Sequence, residues 1–146
     1  MSERVINAIV QVFDDDSTLV AALGTLATGG IPDPTDRDKP FCVLVPEDEV
    51  KEERTMGGAT YVRRRFEFHT FVTTAADDVL VALRTHDANL KTVFQDSEAT
   101  LNAEAVLSDA TITVLDFHKT DGRHDPDPDG AFYESVQIYE AMWSEP

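Results

Sequence analysis

Three stretches of this 146-residue chain carry side chains whose type and spacing suit chemistry or recognition. The first is Asp125-Pro126-Asp127-Pro128-Asp129-Gly130, where carboxylates alternate and a glycine follows the third, as in the opening half of a calcium loop. The twelfth position of such a loop would be Val136 instead of a bidentate Glu, no helix precedes Asp125, and two prolines stiffen the path, so the run reads as an acidic turn. His118 and His124 are too far apart for a helical zinc-ligand pair, and Cys42 is the single cysteine, which also excludes an intrachain disulfide. Gly-x-Ser-x-Gly, the phosphate loop, His-Glu-x-x-His and the dinucleotide fingerprint do not occur. The sequence therefore predicts no enzyme, no metal and no cofactor.

The second stretch is Arg63-Arg64-Arg65, the one basic cluster, followed by His69. Tyr61 to Val72 alternates, with Val62, Phe66, Phe68 and Val72 on one face and Arg63, Arg65, Glu67 and His69 on the other, while Arg64 breaks the apolar side. Arg63 and Arg65 thus share a face and suit carboxylates of a neighbouring subunit, and His69 reads as a surface or interface histidine. The bland alternative is cross-strand ion pairing on an exposed face. The third stretch, Glu47 to Gly58, is polar with paired glycines. It predicts a long mobile hairpin loop, ordered by a neighbour, through which Glu49, Lys51, Glu52, Arg54 and Met56 would meet that neighbour.

The elements that position these residues follow from periodicity. Val5, Ile6, Ile9, Val10 and Phe13 form one helical stripe; Asp16 or Ser17 can cap a short second helix through Leu19, Val20 and Leu23 that stops at Gly24. Gly29 to Pro40, with three prolines, is a connector, and Phe41 to Val45, between Pro40 and Pro46, is a buried strand with Cys42 as a small core residue. Thr74-Ala75-Ala76-Asp77 predicts a helix start; the pattern from Val79 to Phe94 fits one long helix or two short ones, and residues 96–109 fit a short helix or irregular structure. Thr111 to His118 and Phe132 to Trp143 alternate as strands, and the turn-rich Asp121 to Gly130 predicts a hairpin with a large loop between them. The order gives one α+β domain over residues 1–146: a twisted antiparallel sheet of about four strands with its helices on one face.

Composition narrows the class. The chain carries 42% hydrophobic residues and a net charge of −16, concentrated as −7 in residues 1–50 and −8 in residues 101–146. Such a field repels a phosphate backbone and disfavours sequence-specific DNA binding. No apolar run is long enough to cross a bilayer, and no secretory signal is visible at Met1-Ser2-Glu3-Arg4-Val5, which predicts a soluble, intracellular protein without membrane contact.

The order of elements resembles the tail-completion or tail-terminator proteins of long-tailed bacteriophages and related virus-like particles. The resemblance rests on the helix Val5 to Phe13, the apolar segment Leu19 to Leu23, and the proline-bearing connector ending in Pro40-Phe41-Cys42-Val43-Leu44-Val45. It continues with the aromatic-centred strand Phe66-Glu67-Phe68 leading into a helix at Thr74-Ala75, and with two terminal strands. It implies a virion protein at the head-proximal end of the tail, assembled in the host cytoplasm as a homo-hexameric ring. Such a ring halts tail-tube polymerisation and joins the tail-tube protein to the head connector, with DNA only as transiting cargo. A head-completion or connector protein of the same virion, or a non-viral small binding module, are the competing readings.

Overall fold

The apolar stripe of the first segment forms helix α1, Ser2–Asp14, with Val5, Ala8, Ile9 and Phe13 fully buried. In the computed structural model, residues 2–30, 40–51, 58–73, 78–127, 130 and 132–146 are described. The Asp14 carboxylate accepts from the Leu26 backbone N–H at 2.9 Å, tying the end of α1 to the chain beyond the next helix. Helix α2, Ser17–Leu23, is capped by Asp16, whose side chain accepts from the Leu19 N–H, and it ends where Gly24 adopts φ 71°.

The sheet is antiparallel, in the order β1 (Phe41–Pro46), β3 (Thr60–Thr73), β5 (Phe132–Glu145), β4 (Thr113–Pro126). Strand β2, Val50–Lys51, pairs with β3 at Arg63 and Val62, beyond the stretch that β1 pairs. Part of the expected Glu47–Gly58 loop is therefore ladder; Glu52 to Gly57 lie outside the described residues. Val62, Phe66, Phe68 and Val72 are buried on the face toward the helices, as the alternation requires. Phe94, near the end of α3 (Val79–Phe94), meets Phe68, Phe117 and Tyr139 there. A second, smaller cluster, Phe41, Val43 and Phe71, occupies the opposite face of the β1–β3 pair, with Ala27, Val45 and Phe132 against it.

Two sequence expectations are corrected. Asp121 to Pro126 belong to β4 and not to a large loop, because bulges after Val114 and after Lys119 absorb the extra residues and keep the pairing to Pro126. Gly122, read as a turn residue, is a packing residue: a Cβ there would stand 2.6 Å from Gln137 Oε1. The capping run Thr74 to Asp77 lies outside the described residues, and the described helix is capped by Asp78, whose carboxylate accepts from the Val81 N–H. The open alternatives also resolve. Val79 to Phe94 is one helix, and residues 96–109 contain two short ones, α4 (Glu98–Asn102) and α5 (Ala105–Ser108).

Both outer strands have their edges partly covered. Along β4, Asn102 donates to the Val114 carbonyl at 2.9 Å and accepts its N–H at 2.7 Å, Glu98 accepts from the Phe117 N–H, and Gln95 accepts from the Lys119 N–H. Along β1, Ala27 donates to the Cys42 carbonyl and accepts from the Leu44 N–H. Covering an edge removes the template on which another strand would pair. Asn102→Ala is expected to lower the unfolding free energy by about 2 kcal/mol, since it leaves both backbone groups of Val114 without their partners. An unchanged urea midpoint would contradict this.

Candidate functional site

Strand alternation with this register places two rows of chemistry on opposite faces. On the face away from the helices, β3 presents Arg63, Arg65, Glu67 and His69 opposite Met142, Glu140, Ile138 and Val136 of β5, and β4 adds Asp116, His118, Asp121, Arg123 and Asp125. Arg63 and Arg65 both reach Glu140, each at 3.5 Å and each about half exposed. The pair that the sequence singles out therefore already shares one carboxylate within its own chain. Arg64, on the other face, lies 3.7 Å from Glu49, donates to the Glu47 carbonyl and sits over the Phe66 ring. Burial, and then the neighbouring Glu67, push the Glu47 carboxyl up from its ordinary value.

His69 is buried within its own chain, at 5% exposure, where the sequence suggested a surface or interface histidine. Its Nδ1 lies 2.6 Å from Glu134 Oε1 and its Nε2 2.8 Å from Glu67 Oε1. Burial pulls the imidazole pKa down, but the bonds to Glu134 and Glu67 and their charges outweigh it, and the value stands above the ordinary 6.5. Glu134 carried no signal of its own; only the β3–β5 register brings it near His69. Of the remaining expected contact residues, Lys51 lies in β2, while Glu52, Arg54 and Met56 lie outside the described residues.

The helix-covered face holds a second polar group that sequence reading missed. Asp87 of α3 accepts from Ser135 Oγ at 2.6 Å and lies 2.7 Å from His124 Nε2, and Gln137 Nε2 donates to Ser135 Oγ. Serine and histidine both bond the carboxylate and not each other, so the hydroxyl has no imidazole to take its proton and the set is not a nucleophile–base pair. The polar run Thr85-His86-Asp87, inside the apolar spacing of α3, is the sequence signal that could have found it: a helix carries such a residue inward where a strand can answer it. His86 stands nearby with its pKa pulled down by burial.

Asp96, Glu98 and Asp116 form the three-carboxylate group among the described residues with ligand atoms close enough for one cation. Glu98 is already bonded to the Phe117 N–H, and Asp116 lies 2.7 Å from His118. Asp125, the first residue of the rejected calcium spacing, sits in β4 opposite Glu134 with Arg123 on its carboxylate at 2.8 Å.

An antiparallel sheet with helices on one face and an open, charged second face is thus the class of protein defined. No protein-family model matches the sequence, and no curated protein matches it. Among solved structures, the chain is similar to one from the "Virion of native gene transfer agent (GTA) particle", with a TM-score of 0.73, 94% of this chain and 92% of that chain covered, and 13% sequence identity. At that identity the likeness is one of fold.

Proposed function

We propose that this chain is a non-enzymatic structural protein of a phage-like particle. In this reading, six copies form a ring at the head-proximal end of the tail, which ends the tail tube and receives the head connector. The observation that carries it is the fold shared over 94% of the chain with a component of a gene transfer agent virion. The element order supports the terminator role in particular, and the charge of −16 per chain suits a ring whose channel DNA must cross without adhering. The second sheet face, where Arg63, Arg65 and Arg123 stand among Glu67, Glu134, Glu140, Asp116, Asp121 and Asp125, suits head-to-tail contacts that close into a ring.

The test is loss of the gene in a producing cell. Full heads lacking tails, beside tails of unregulated length, are expected, and purified protein should restore joining. Tails of normal length beside heads that leak DNA would overturn the terminator role in favour of a connector.

Arg63→Glu/Arg65→Glu is expected to leave the fold of the single chain intact, since exposed pairs contribute at most about 1 kcal/mol, and to weaken ring assembly by repelling the carboxylates of the next copy. Sedimentation velocity reads the assembly and circular dichroism the fold. Unaltered rings would remove these two residues from the interface.

A further inference from the structure

The arginines of the conspicuous basic cluster have carboxylate neighbours in their own chain, and so has Arg123, while Arg4 donates to the Val106 carbonyl. Among the residues whose side chains are described, the Lys and Arg without any such partner are Arg84, Lys91 and Lys119, and all three line one feature. It consists of two adjoining clefts, of about 480 and 260 Å³, where α3 crosses the β4 edge; they share Lys119 and Gly122. Arg84 and Lys91 stand seven residues apart on α3 and so project to the same side of the helix. The acids in the clefts are already engaged: Asp87 by Ser135 and His124, and Asp121 by the Gly122 N–H. Arg84, Lys91 and Lys119 against the carboxylates of Asp87 and Asp121 leave the clefts net positive, on a chain of net charge −16, and so suited to an anion from outside.

A second, independent observation concerns Gln137, which lines the larger cleft at 3% exposure. Its Nε2 is used on Ser135, but its Oε1 is buried without a hydrogen-bond partner. The missing Cβ of Gly122 leaves room for that oxygen. A buried acceptor left without a donor is costly, so an occupant that brings an N–H or O–H as well as negative charge suits this cleft. A phosphodiester has no donor to offer, whereas an acidic peptide brings both, its carboxylates for the cations and its backbone N–H for Gln137.

The same chain carries such a segment on its other side. Glu47-Asp48-Glu49 lies where the chain leaves the ladder between β1 and β2, at the sheet edge opposite β4, beside Arg63, Arg64 and Arg65. Glu49 lies near Arg64 and the Glu47 N–H bonds the Arg65 carbonyl, while Asp48 is exposed and is the carboxylate that the next copy would meet first. A head-to-tail contact requires two different, complementary patches on opposite sides of one molecule, and these two edges provide them. We infer that the α3–β4 cleft of each copy binds the Glu47–Glu49 segment of the next. This rests on the ring proposed above and specifies its joint.

The experiment uses the full chain, unlabelled and 15N-labelled in equal mixture, at a concentration where it assembles. A carbodiimide then joins lysine amines to carboxylates in contact, forming an amide with loss of one water. The expected result is mixed-isotope links from Lys91 or Lys119 to Glu47, Asp48 or Glu49. Arg84→Glu/Lys119→Glu should reduce assembly about tenfold or more, and adding Glu47→Lys/Asp48→Lys to the same chain should restore it, which a folding defect would not allow. Assembled rings without the mixed links, or reversed-cleft chains that assemble normally, would overturn the joint and leave the ring standing. Protein that stays single at millimolar concentration would overturn both. A short DNA duplex that shields Lys91 and Lys119 from acetylation would overturn the peptide occupant.

Discussion

Phe94→Ala is expected to lower the unfolding free energy by about 4 kcal/mol, the loss typical of emptying a fully buried aromatic site. The ring at the end of α3 lies 4.9 Å from Phe68, 5.8 Å from Phe117 and 6.3 Å from Tyr139, centroid to centroid. Those three partners sit on β3, β4 and β5, so one side chain fastens the helical layer to three strands at once. The partners stack on one another as well, Phe117 with Tyr139 and Phe68 edge-on to Tyr139, which holds the cavity walls apart and limits collapse into the void. With total stability for such a domain of about 5–15 kcal/mol, the urea midpoint should fall by about 2 M. A shift of only a few tenths of a molar unit would show that the three strands do not depend on this contact.

The second large effect is at His69. Both of its ring nitrogens face carboxylates, and only the imidazolium has an N–H for each. Its folded pKa stands above 6.5, so the stability it supplies is fully present below about pH 6.5 and is lost as pH rises through the raised value. Arg123 acts on the same two glutamates from β4 and offsets part of their repulsion when the imidazolium is gone. His69→Gln keeps a hydrogen-bond donor but no charge, leaving Glu67 and Glu134, each about one-fifth exposed, without their cation. The expected cost is about 3 kcal/mol at pH 6, shrinking as pH rises because the wild-type protein loses the same contribution. Urea titrations of both proteins from pH 6 to pH 9 read this directly. Parallel curves, with a gap that does not narrow, would show that His69 is held neutral.

Much of the architecture was legible because it is written in period. The helical stripe of α1, the Asp16 cap and Gly24 stop of α2, the proline-bounded β1 and the alternating β3 all follow from local rules that tertiary packing did not override. The misreadings share one cause. Asp121-Gly122 looks like a turn, yet its glycine is there to admit the Gln137 amide from the neighbouring strand. Such a demand comes from across the sheet and leaves no mark in the local sequence. The pairing of β2 beyond β1 is invisible for the same reason.

The candidate site divides in the same way. Arg63 and Arg65 could be placed on one face from spacing alone, but their shared Glu140 depends on the β3–β5 register. His69 looked exposed because alternation assigns a face and not a burial; the carboxylates on either side of it, and the apolar Val136 opposite, are what enclose it. Arg84, Lys91 and Lys119 gave no signal because they are scattered along the sequence, and only the crossing of α3 over the β4 edge gathers them.

The most direct test of the proposed function is a three-dimensional reconstruction, without imposed symmetry, of the head–tail joint of particles carrying this protein. Six copies on the last ring of the tail tube, beneath the head connector, are the expected result. Twelve copies on the head side of the joint, or density for this chain elsewhere in the particle, would contradict it.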